Sequence, residues 1–308
     1  MGRRAHRHRA ARPGPARSPP GKPLAHGALT VIPLLAPGAP DPGWLTLAEA
    51  GDAVTIEEVS EAGAVPTLRL TSAADRPVLL LDGEELIGAK QNRVLNTTVL
   101  VAAHARLTVP VSCVEQGRWA YASRRFAAGD SSLYASVRAR KAEHVTRSLR
   151  ATGQHASDQG DIWQRLSLKD AEHEVRSDTG AMRDFYAHHT QEMDAARAAL
   201  APRPGQVGAL VFLGDRWIGL DLLPSPGLFE RAWPRLCAGY AAEAVGRKGR
   251  ASAPDPRAVL GAVAQTPVEE APAVGLGREH RLAGRTLAGA ALVVEDLVAH
   301  LMAFPVGA

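Results

Sequence analysis

Cysteine is scarce in this chain, which has only Cys113 and Cys237 among its 308 residues. Two cysteines are too few for a disulfide framework or an all-thiolate metal site, so the sequence favours a reducing compartment. Several catalytic signatures are also missing: there is no P-loop, no GxGxxG after a strand, no GxSxG, no HExxH and no CxxC. These absences disfavour P-loop phosphoryl transfer and hydride transfer on a dinucleotide-binding fold.

Long apolar runs are absent as well. The longest, such as residues 288–294, have the length of a strand, whereas a helix that crosses a bilayer needs about 20 apolar residues. The mean hydropathy of −0.11 agrees with this. We therefore expect no membrane association and a cytoplasmic location. Hydrophobic residues still make up 45% of the chain, which is enough to bury a sizeable core.

Acidic residues are missing from residues 1–28, where seven basic residues occur. The rest of the chain has 29 basic and 32 acidic residues, a net charge of about −3, so the basicity belongs to this stretch. The stretch is rich in Pro, Gly and Ala, and it has too little apolar surface to offset the entropy of ordering. We predict a disordered tail over residues 1–28 and a single domain over residues 29–308. Nucleic-acid binding is expected only weakly, through this tail.

The apolar pattern predicts an α+β fold. From residue 29 to about residue 119, apolar and polar residues alternate in short runs, as in half-buried strands. From about 131 to 201 the pattern becomes helical, and it starts with a helix over residues 132–150 that we expect to be largely exposed. Two hairpins are predicted around residues 214–215 and 295–296. The expected architecture is a mainly antiparallel sheet or sandwich core with a helical insertion.

Two polar segments interrupt the predicted strands. In the first, Gly83 and Gly88 allow close approach of a ligand, and the basic and amide side chains suit a phosphate and a sugar or base. Its candidate ligand-binding residues are Glu84, Lys90, Gln91, Asn92, Arg93 and Asn96. The alternative is a solvated loop with mixed charges that largely neutralise each other.

The second polar segment, residues 115–119, follows a strand whose inward face carries Val109, Val111 and Cys113. Cys113 is expected to be a packed thiol. Glu115 continues the same face, so it must be paired or lie at the mouth of a cavity, because burying a bare carboxylate is costly. Gln116, Arg118 and Trp119 could complete such a cavity, with Arg118 as the charge partner and Trp119 as a stacking surface. A structural salt bridge at the sheet end is the alternative.

Carboxylates are the candidate catalytic groups if the protein is an enzyme. Glu84 and Glu85 are neighbours in a predicted strand and point to opposite faces, so at most one can face a given pocket. The candidate catalytic pair is Glu85 with Glu115. The histidines form no convincing metal site, and His300 is expected to be a hydrogen-bonded core residue. No metal is predicted, and no cofactor can be assigned.

The strings LDGEELIGAKQNRVLNTTVLV and VPVSCVEQGRW resemble a bacterial family, the ADP-ribosylglycohydrolase and rhodanese-phosphatase associated protein domain. The resemblance spans nearly all of the chain after residue 29, and it implies an association with genes that process ADP-ribose and related NAD-derived molecules. The polar positions of both segments, from Glu84 to Asn96 and from Glu115 to Trp119, are the ones that match.

The leading hypothesis is a pocket for a nucleotide-like or ADP-ribose-like small molecule, formed by residues 84–96 and 115–119. It requires residues 90–93 and 115–119 to converge in space. The rival hypothesis is a non-enzymatic module that binds a protein partner through the helix over residues 132–150 or through an exposed sheet.

Overall fold

A computed structural model describes residues 18–61, 63, 65–249, 252 and 255–307. Within these ranges the chain forms seventeen strands and seven α-helices, numbered here along the chain. Apart from one parallel pair, the strands are antiparallel, and they build a closed barrel, an eight-stranded sheet and a three-stranded sheet. The predicted α+β class with a mainly antiparallel core is confirmed.

Six strands close into a barrel in which each strand pairs with two neighbours. In spatial order they are β10 (Arg106–Cys113), β5 (Thr67–Ser72), β4 (Val54–Glu58), β11 (Phe126–Ser132), β7 (Glu84–Gly88) and β8 (Arg93–Leu95). The alternation along β4 buries Val54 and Ile56, which pack with Leu68, Leu86 and Val111. Because side chains fill its interior, the barrel is a packed core and not a channel.

The eight-stranded sheet combines early and late parts of the chain. In spatial order its strands are β1 (Leu24–His26), β2 (Leu29–Leu35), β12 (Gln206–Leu213), β13 (Arg216–Leu222), β17 (Leu297–Pro305), β16 (Leu287–Val294), β15 (Arg278–Ala283) and β14 (Val268–Pro272). Both predicted hairpins are present, β12–β13 and β16–β17. The second turns at Glu295 and Asp296, whose positive φ angles of 48° and 68° suit a two-residue hairpin loop.

A short third sheet and the helices complete the fold. The sheet contains β3 (Leu45–Thr46), β6 (Val78–Leu80) and β9 (Val99–Val101). The helices are α1 (Leu47–Ala50), α2 (Ala135–Thr152), α3 (Gln159–Glu172), α4 (Met182–His188), α5 (Thr190–Ala199), α6 (Pro226–Ala241) and α7 (Pro256–Gln265). Helices α2 to α5 lie between β11 and β12, so the helical insertion is confirmed. None of the helices in the described ranges has the length and apolar composition needed to span a bilayer.

Helix α2 differs from its prediction. We expected a largely exposed helix, but Arg138 and Lys141 are at most 1% exposed. The reason is that α2 packs against β16 and β17, and these two basic side chains have buried acidic partners. The helix stops at Gly153, whose φ of +70° is the left-handed conformation typical of a helix C-terminus.

Buried charges join the sheet to α2. Asp221, on β13, accepts hydrogen bonds from both terminal nitrogens of Arg138, at 2.9 and 2.7 Å, and from the hydroxyl of Tyr240 at 2.6 Å. His300 Nε2 lies 2.9 Å from the same carboxylate. All four side chains are at most 1% exposed. His300 is thus the hydrogen-bonded core histidine that the sequence suggested, and its other ring nitrogen contacts Thr98 at 2.6 Å.

The same network reaches the barrel through Asp82, which lies between β6 and β7. The ammonium group of Lys141 pairs with Asp82 and also donates to the carbonyls of Leu95 and Asn96, at 3.0 and 3.2 Å. Arg138 Nε is 3.5 Å from the same Asp82 carboxylate. Burial lowers the pKa of Lys141 to about 8, although Asp82 opposes that shift. Helix α2 therefore fastens the barrel to the eight-stranded sheet.

The structure describes residues 18–28 of the predicted tail, whereas residues 1–17 lie outside the described residues. Leu24–His26 form β1 on the edge of the eight-stranded sheet, paired with β2. Leu24 is 6% exposed and packs into the main core. Order therefore begins before residue 29, because one apolar side chain and a short strand pairing anchor this stretch. The single domain over residues 29–308 remains a prediction.

Candidate functional site

The two polar segments meet at one end of the barrel. Because neighbouring strands are antiparallel, β4, β7 and β10 end where β5, β8 and β11 begin. We call this end the barrel mouth, and we include in it Gly63 and the connections 89–92 and 114–125. The structure meets the geometric condition for a shared site, since residues 90–93 and 115–119 are in direct contact here.

Arg118 clamps the two segments together. Its guanidinium donates to both oxygens of Glu115, at 2.8 and 2.6 Å, and to the carbonyl of Ala89 and Oδ1 of Asn92 in the first segment, at 2.7 and 3.2 Å. Glu115 also accepts from the backbone N–H of Asn92 at 3.0 Å. Burial alone would raise the pKa of Glu115, but the hydrogen bonds from Arg118 and Asn92 keep it below its ordinary value.

Beneath this clamp lies a buried ion pair with unused hydrogen-bonding groups. Arg93 is 0% exposed, and its Nη1 donates to the carbonyl and side-chain oxygens of Gln91, at 3.2 and 3.0 Å. Its Nη2 stands 3.9 Å from Glu58 Oε1, too far for a direct hydrogen bond. Within the described part of the chain, Nε and Nη2 of Arg93 and both oxygens of Glu58 have no hydrogen-bond partner. Two donor atoms and two acceptor atoms are therefore left without partners at one place.

Two aromatic rings stand above the ion pair. Trp119 and Tyr121 are about half exposed, and the Lys90 ammonium lies 5.2 and 5.1 Å from their ring centroids. Arg93 also approaches the Trp119 ring, with its guanidinium carbon 5.8 Å from the ring centroid, so two cations contact this ring. The backbone at Gly63 packs closely against the Trp119 ring, since a Cβ atom at this position would lie 3.2 Å from the ring. The rings therefore offer a supported flat surface to solvent.

A cleft of about 820 Å³ opens beside the Tyr121 ring. Its lining includes Glu58, Arg69, Tyr121 and Arg124. This volume lies within the range of about 300–1,000 Å³ that ligand pockets usually have. Glu58 therefore lies at the boundary between the barrel interior and a space large enough for a small molecule.

Three candidate residues lie apart from the clamp and the cleft. Glu84 accepts from the Leu81 N–H at 3.1 Å and is 3.7 Å from Arg235 Nε. Asn96 is bound to Ser112 and to the carbonyl of His155. Glu85 is 0% exposed and accepts a hydrogen bond from the Ser131 hydroxyl at 2.6 Å. The negative charge of Glu115 contributes a small part of the rise in the pKa of Glu85.

The buried Glu85 carboxyl makes stability depend on pH. Burial outweighs the hydrogen bond from Ser131 and raises the pKa of Glu85 from 4.5 to about 7. The folded protein thus holds this proton more tightly than the unfolded chain. Its stabilising effect is complete below about pH 4.5 and is lost as the pH rises through 7, a change of about 3 kcal/mol.

Glu85→Gln is therefore expected to remove this loss of stability between pH 5 and pH 8. Urea unfolding of the wild type and the variant at both values measures it. Glu230→Gln, at an exposed position on α6, is the matched control and should keep the wild-type pH dependence. An unchanged pH dependence in Glu85→Gln would show that another group titrates.

Cys113 is packed rather than reactive. It is 0% exposed, and its thiol donates to the Glu115 carbonyl at 3.2 Å. Burial raises the pKa of this thiol, with the charge of Arg93 opposing the shift. Among the described residues, no three His, Cys, Asp or Glu side chains lie close enough together to hold a metal ion.

Sequence reasoning missed the residues that open the site to solvent. Glu58 follows Val54 and Ile56 at inward positions of the same alternating strand, so a carboxylate facing the barrel interior could have been noticed. Tyr121, Arg69 and Arg124 gave no such signal. Arg69 reads as an outward residue of a strand, and the other two lie in an irregular loop whose path the pattern does not fix.

A protein-family model matches most of the chain. The model of the ARG and Rhodanese-Phosphatase-superfamily-associated Protein domain (ARPP-1) matches residues 19–304. This range contains the barrel, its mouth and the helical insertion. No curated protein and no solved structure matches the chain.

Proposed function

The chain belongs to the ARG and Rhodanese-Phosphatase-superfamily-associated Protein domain family, and from that premise we propose that its barrel mouth binds a nucleotide-like small molecule of the ADP-ribose class. The family is associated with ADP-ribosylglycohydrolase (ARG) and rhodanese-phosphatase proteins, which supplies the ADP-ribose context. The chemistry of the mouth supports the same class of ligand.

The observation that carries the proposal is the buried pair of Arg93 and Glu58. Buried polar atoms without partners are rare because each costs about 1–3 kcal/mol. Here two donor atoms and two acceptor atoms go unused in one place, next to a cleft. A ligand that presents both hydroxyl donors and oxygen acceptors satisfies both sides of the pair.

Each part of a nucleotide finds a matching group at the mouth. The two oxygens of Glu58 suit a ribose diol, since carboxylates bind ribose hydroxyls in other nucleotide sites. The half-exposed Trp119 ring suits stacking of a base. Arg69 and Arg124, which share the lining of the cleft with Glu57, Glu58 and Glu61, suit the phosphates. The salt bridge between Glu115 and Arg118 belongs to the clamp that holds the two polar segments together at the barrel mouth.

The catalytic assignment of Glu85 and Glu115 stays a prediction. Both oxygens of Glu115 accept hydrogen bonds from Arg118, so its contribution to binding is to position the mouth. Of the two carboxyls, Glu85 has its pKa raised and Glu115 has it lowered, which is the kind of separation that an acid and a base require. The proposal is confined to binding.

Trp119→Ala is expected to weaken binding of ADP-ribose and AMP by about 5- to 150-fold, because base stacking contributes about 1–3 kcal/mol. Ribose 5-phosphate, which has no base, should bind both proteins equally. Titration calorimetry measures the affinities, and an unchanged melting temperature is expected because the ring is half exposed.

Leu168→Ala, which removes an exposed apolar side chain on α3, serves as the control and should bind like the wild type. If folded wild-type protein gives no heat with ADP-ribose, AMP or ribose 5-phosphate, the proposed function is rejected. If it binds all three and Trp119→Ala binds them unchanged, the ligand lies elsewhere.

A further inference from the structure

A second concave surface is lined by residues outside the barrel mouth and its cleft. It is a groove of about 140 Å³ between the start of α2, the start of β13 and the end of β17. Arginines from three elements line it: Arg140 from α2, Arg165 from α3 and Arg216 from β13. No residue of this groove belongs to the barrel mouth or its cleft.

Two of the three arginines that line the groove are paired with acidic residues of their own helices. Arg140 uses Nη1 to bind Glu143 at 2.6 Å, and Arg165 uses Nε to bind Asp161 at 2.9 Å. Arg216 has no ion pair with any described residue, and its side chain is exposed. The groove also contains one acid, Glu243, whose Oε1 is occupied by the Ser136 N–H at 2.6 Å. Most of the donor capacity therefore remains unused.

Two buried donors in the groove lining lack an acceptor. Nε of Arg140 and Nε1 of Trp217 are shielded from solvent, and neither has a hydrogen-bond partner in the described chain. Arginine and tryptophan side chains can only donate. These two donors therefore lack acceptors, and a ligand that brings several oxygen acceptors with negative charge would supply them.

We propose that this groove binds a phosphate group. Three guanidinium groups that approach from separate elements suit an anion with more than two oxygens, and Arg forks match phosphate geometry. The volume is well below the roughly 300 Å³ at which pockets begin to enclose whole drug-sized ligands, so the groove takes one group and not a nucleotide. This inference is independent of the function proposed for the barrel mouth.

The indole N–H of Trp217 provides the test. In ¹⁵N-labelled full-length protein, its resonance is assigned by its loss in Trp217→Phe, and inorganic phosphate is titrated against potassium chloride at matched ionic strength. We expect a saturable downfield shift with phosphate and no such shift with chloride. Arg216→Gln should weaken phosphate binding at least tenfold. Arg147→Gln, the same charge change at an exposed position of α2, should leave it within twofold.

Several outcomes overturn the proposal. They are an equal shift with chloride, an equal loss in Arg147→Gln and Arg216→Gln, and no shift at all. Tighter binding of acetate than of phosphate would replace the phosphate group with a carboxylate and so contradict the assignment. Loss of the Trp217 shift in folded Trp119→Ala would place the anion at the barrel mouth instead. Because Arg216 is exposed, its variant should remain folded.

Discussion

Replacing Asp221 with asparagine is expected to lower the free energy of unfolding by about 3–5 kcal/mol, the usual cost of leaving a buried charge without its partner. Asp221 is 0% exposed, and Arg138 binds it through both terminal nitrogens. The asparagine amide has the right size, but it loses the charge and puts N–H donors where Arg138, Tyr240 or His300 also donate. Arg138 then remains buried with Asp82 at 3.5 Å as its nearest acid.

Urea unfolding at pH 7 measures this effect, and Asp215→Asn is the matched control. Asp215 lies exposed in the turn between β12 and β13, so its change should stay within about 0.5 kcal/mol. Arg138 and His300 keep the pKa of Asp221 below its usual range despite burial. The associated stability is present above about pH 4 and is lost on further acidification. A loss below about 1 kcal/mol in Asp221→Asn would mean that the network is not a main support of the fold.

Arg93→Met is expected to have two large effects. It leaves Glu58 buried without a charge partner, which should cost about 3–5 kcal/mol of stability. It also removes the donors at the floor of the barrel mouth, so binding of ADP-ribose should fall below detection. Urea unfolding and titration calorimetry measure the two effects separately.

The double variant Glu58→Met with Arg93→Met separates stability from binding. Replacing both members of a buried ion pair with apolar residues of similar volume is often neutral or stabilising, so most of the lost stability should return. Binding should not return, because the polar atoms that would meet the ligand are gone. A double variant that is stable and still binds ADP-ribose would remove Arg93 and Glu58 from the site.

The sequence predicted individual strands and turns better than the closure of the barrel. The alternation in Val54–Glu58 and the turn residues Glu295 and Asp296 mark their elements directly. The barrel closes because β7 and β8 pair with β11 and β10, which lie farther along the chain. No local sequence pattern encodes these pairings. The burial of Arg138 was unexpected for the same reason. A basic residue on a helix reads as exposed unless its acidic partner, here 83 residues away, is known.

Part of the candidate site was also predictable from local sequence. Residues 90–93 and 115–119 are dense in polar side chains, and their inward-facing neighbours require partners, so their contact could be expected. Glu58 belongs to the site because the curvature of the barrel brings the end of β4 toward the start of β8. The sequence pattern gives the direction in which a side chain points, but it does not give the strands that curvature brings opposite each other.

The position of β17 has a consequence for the order of assembly during synthesis. All six barrel strands are contained in residues 54–132, so the barrel can close while later residues are still being added. The eight-stranded sheet cannot, because β17 is the latest strand in the chain and lies between β13 and β16. Until residues 297–305 emerge from the ribosome, the edge of β13 is open and Asp221 lacks His300. A nascent chain that has not reached β17 can therefore carry a closed barrel beside an incomplete sheet, with the edge of β13 unpaired.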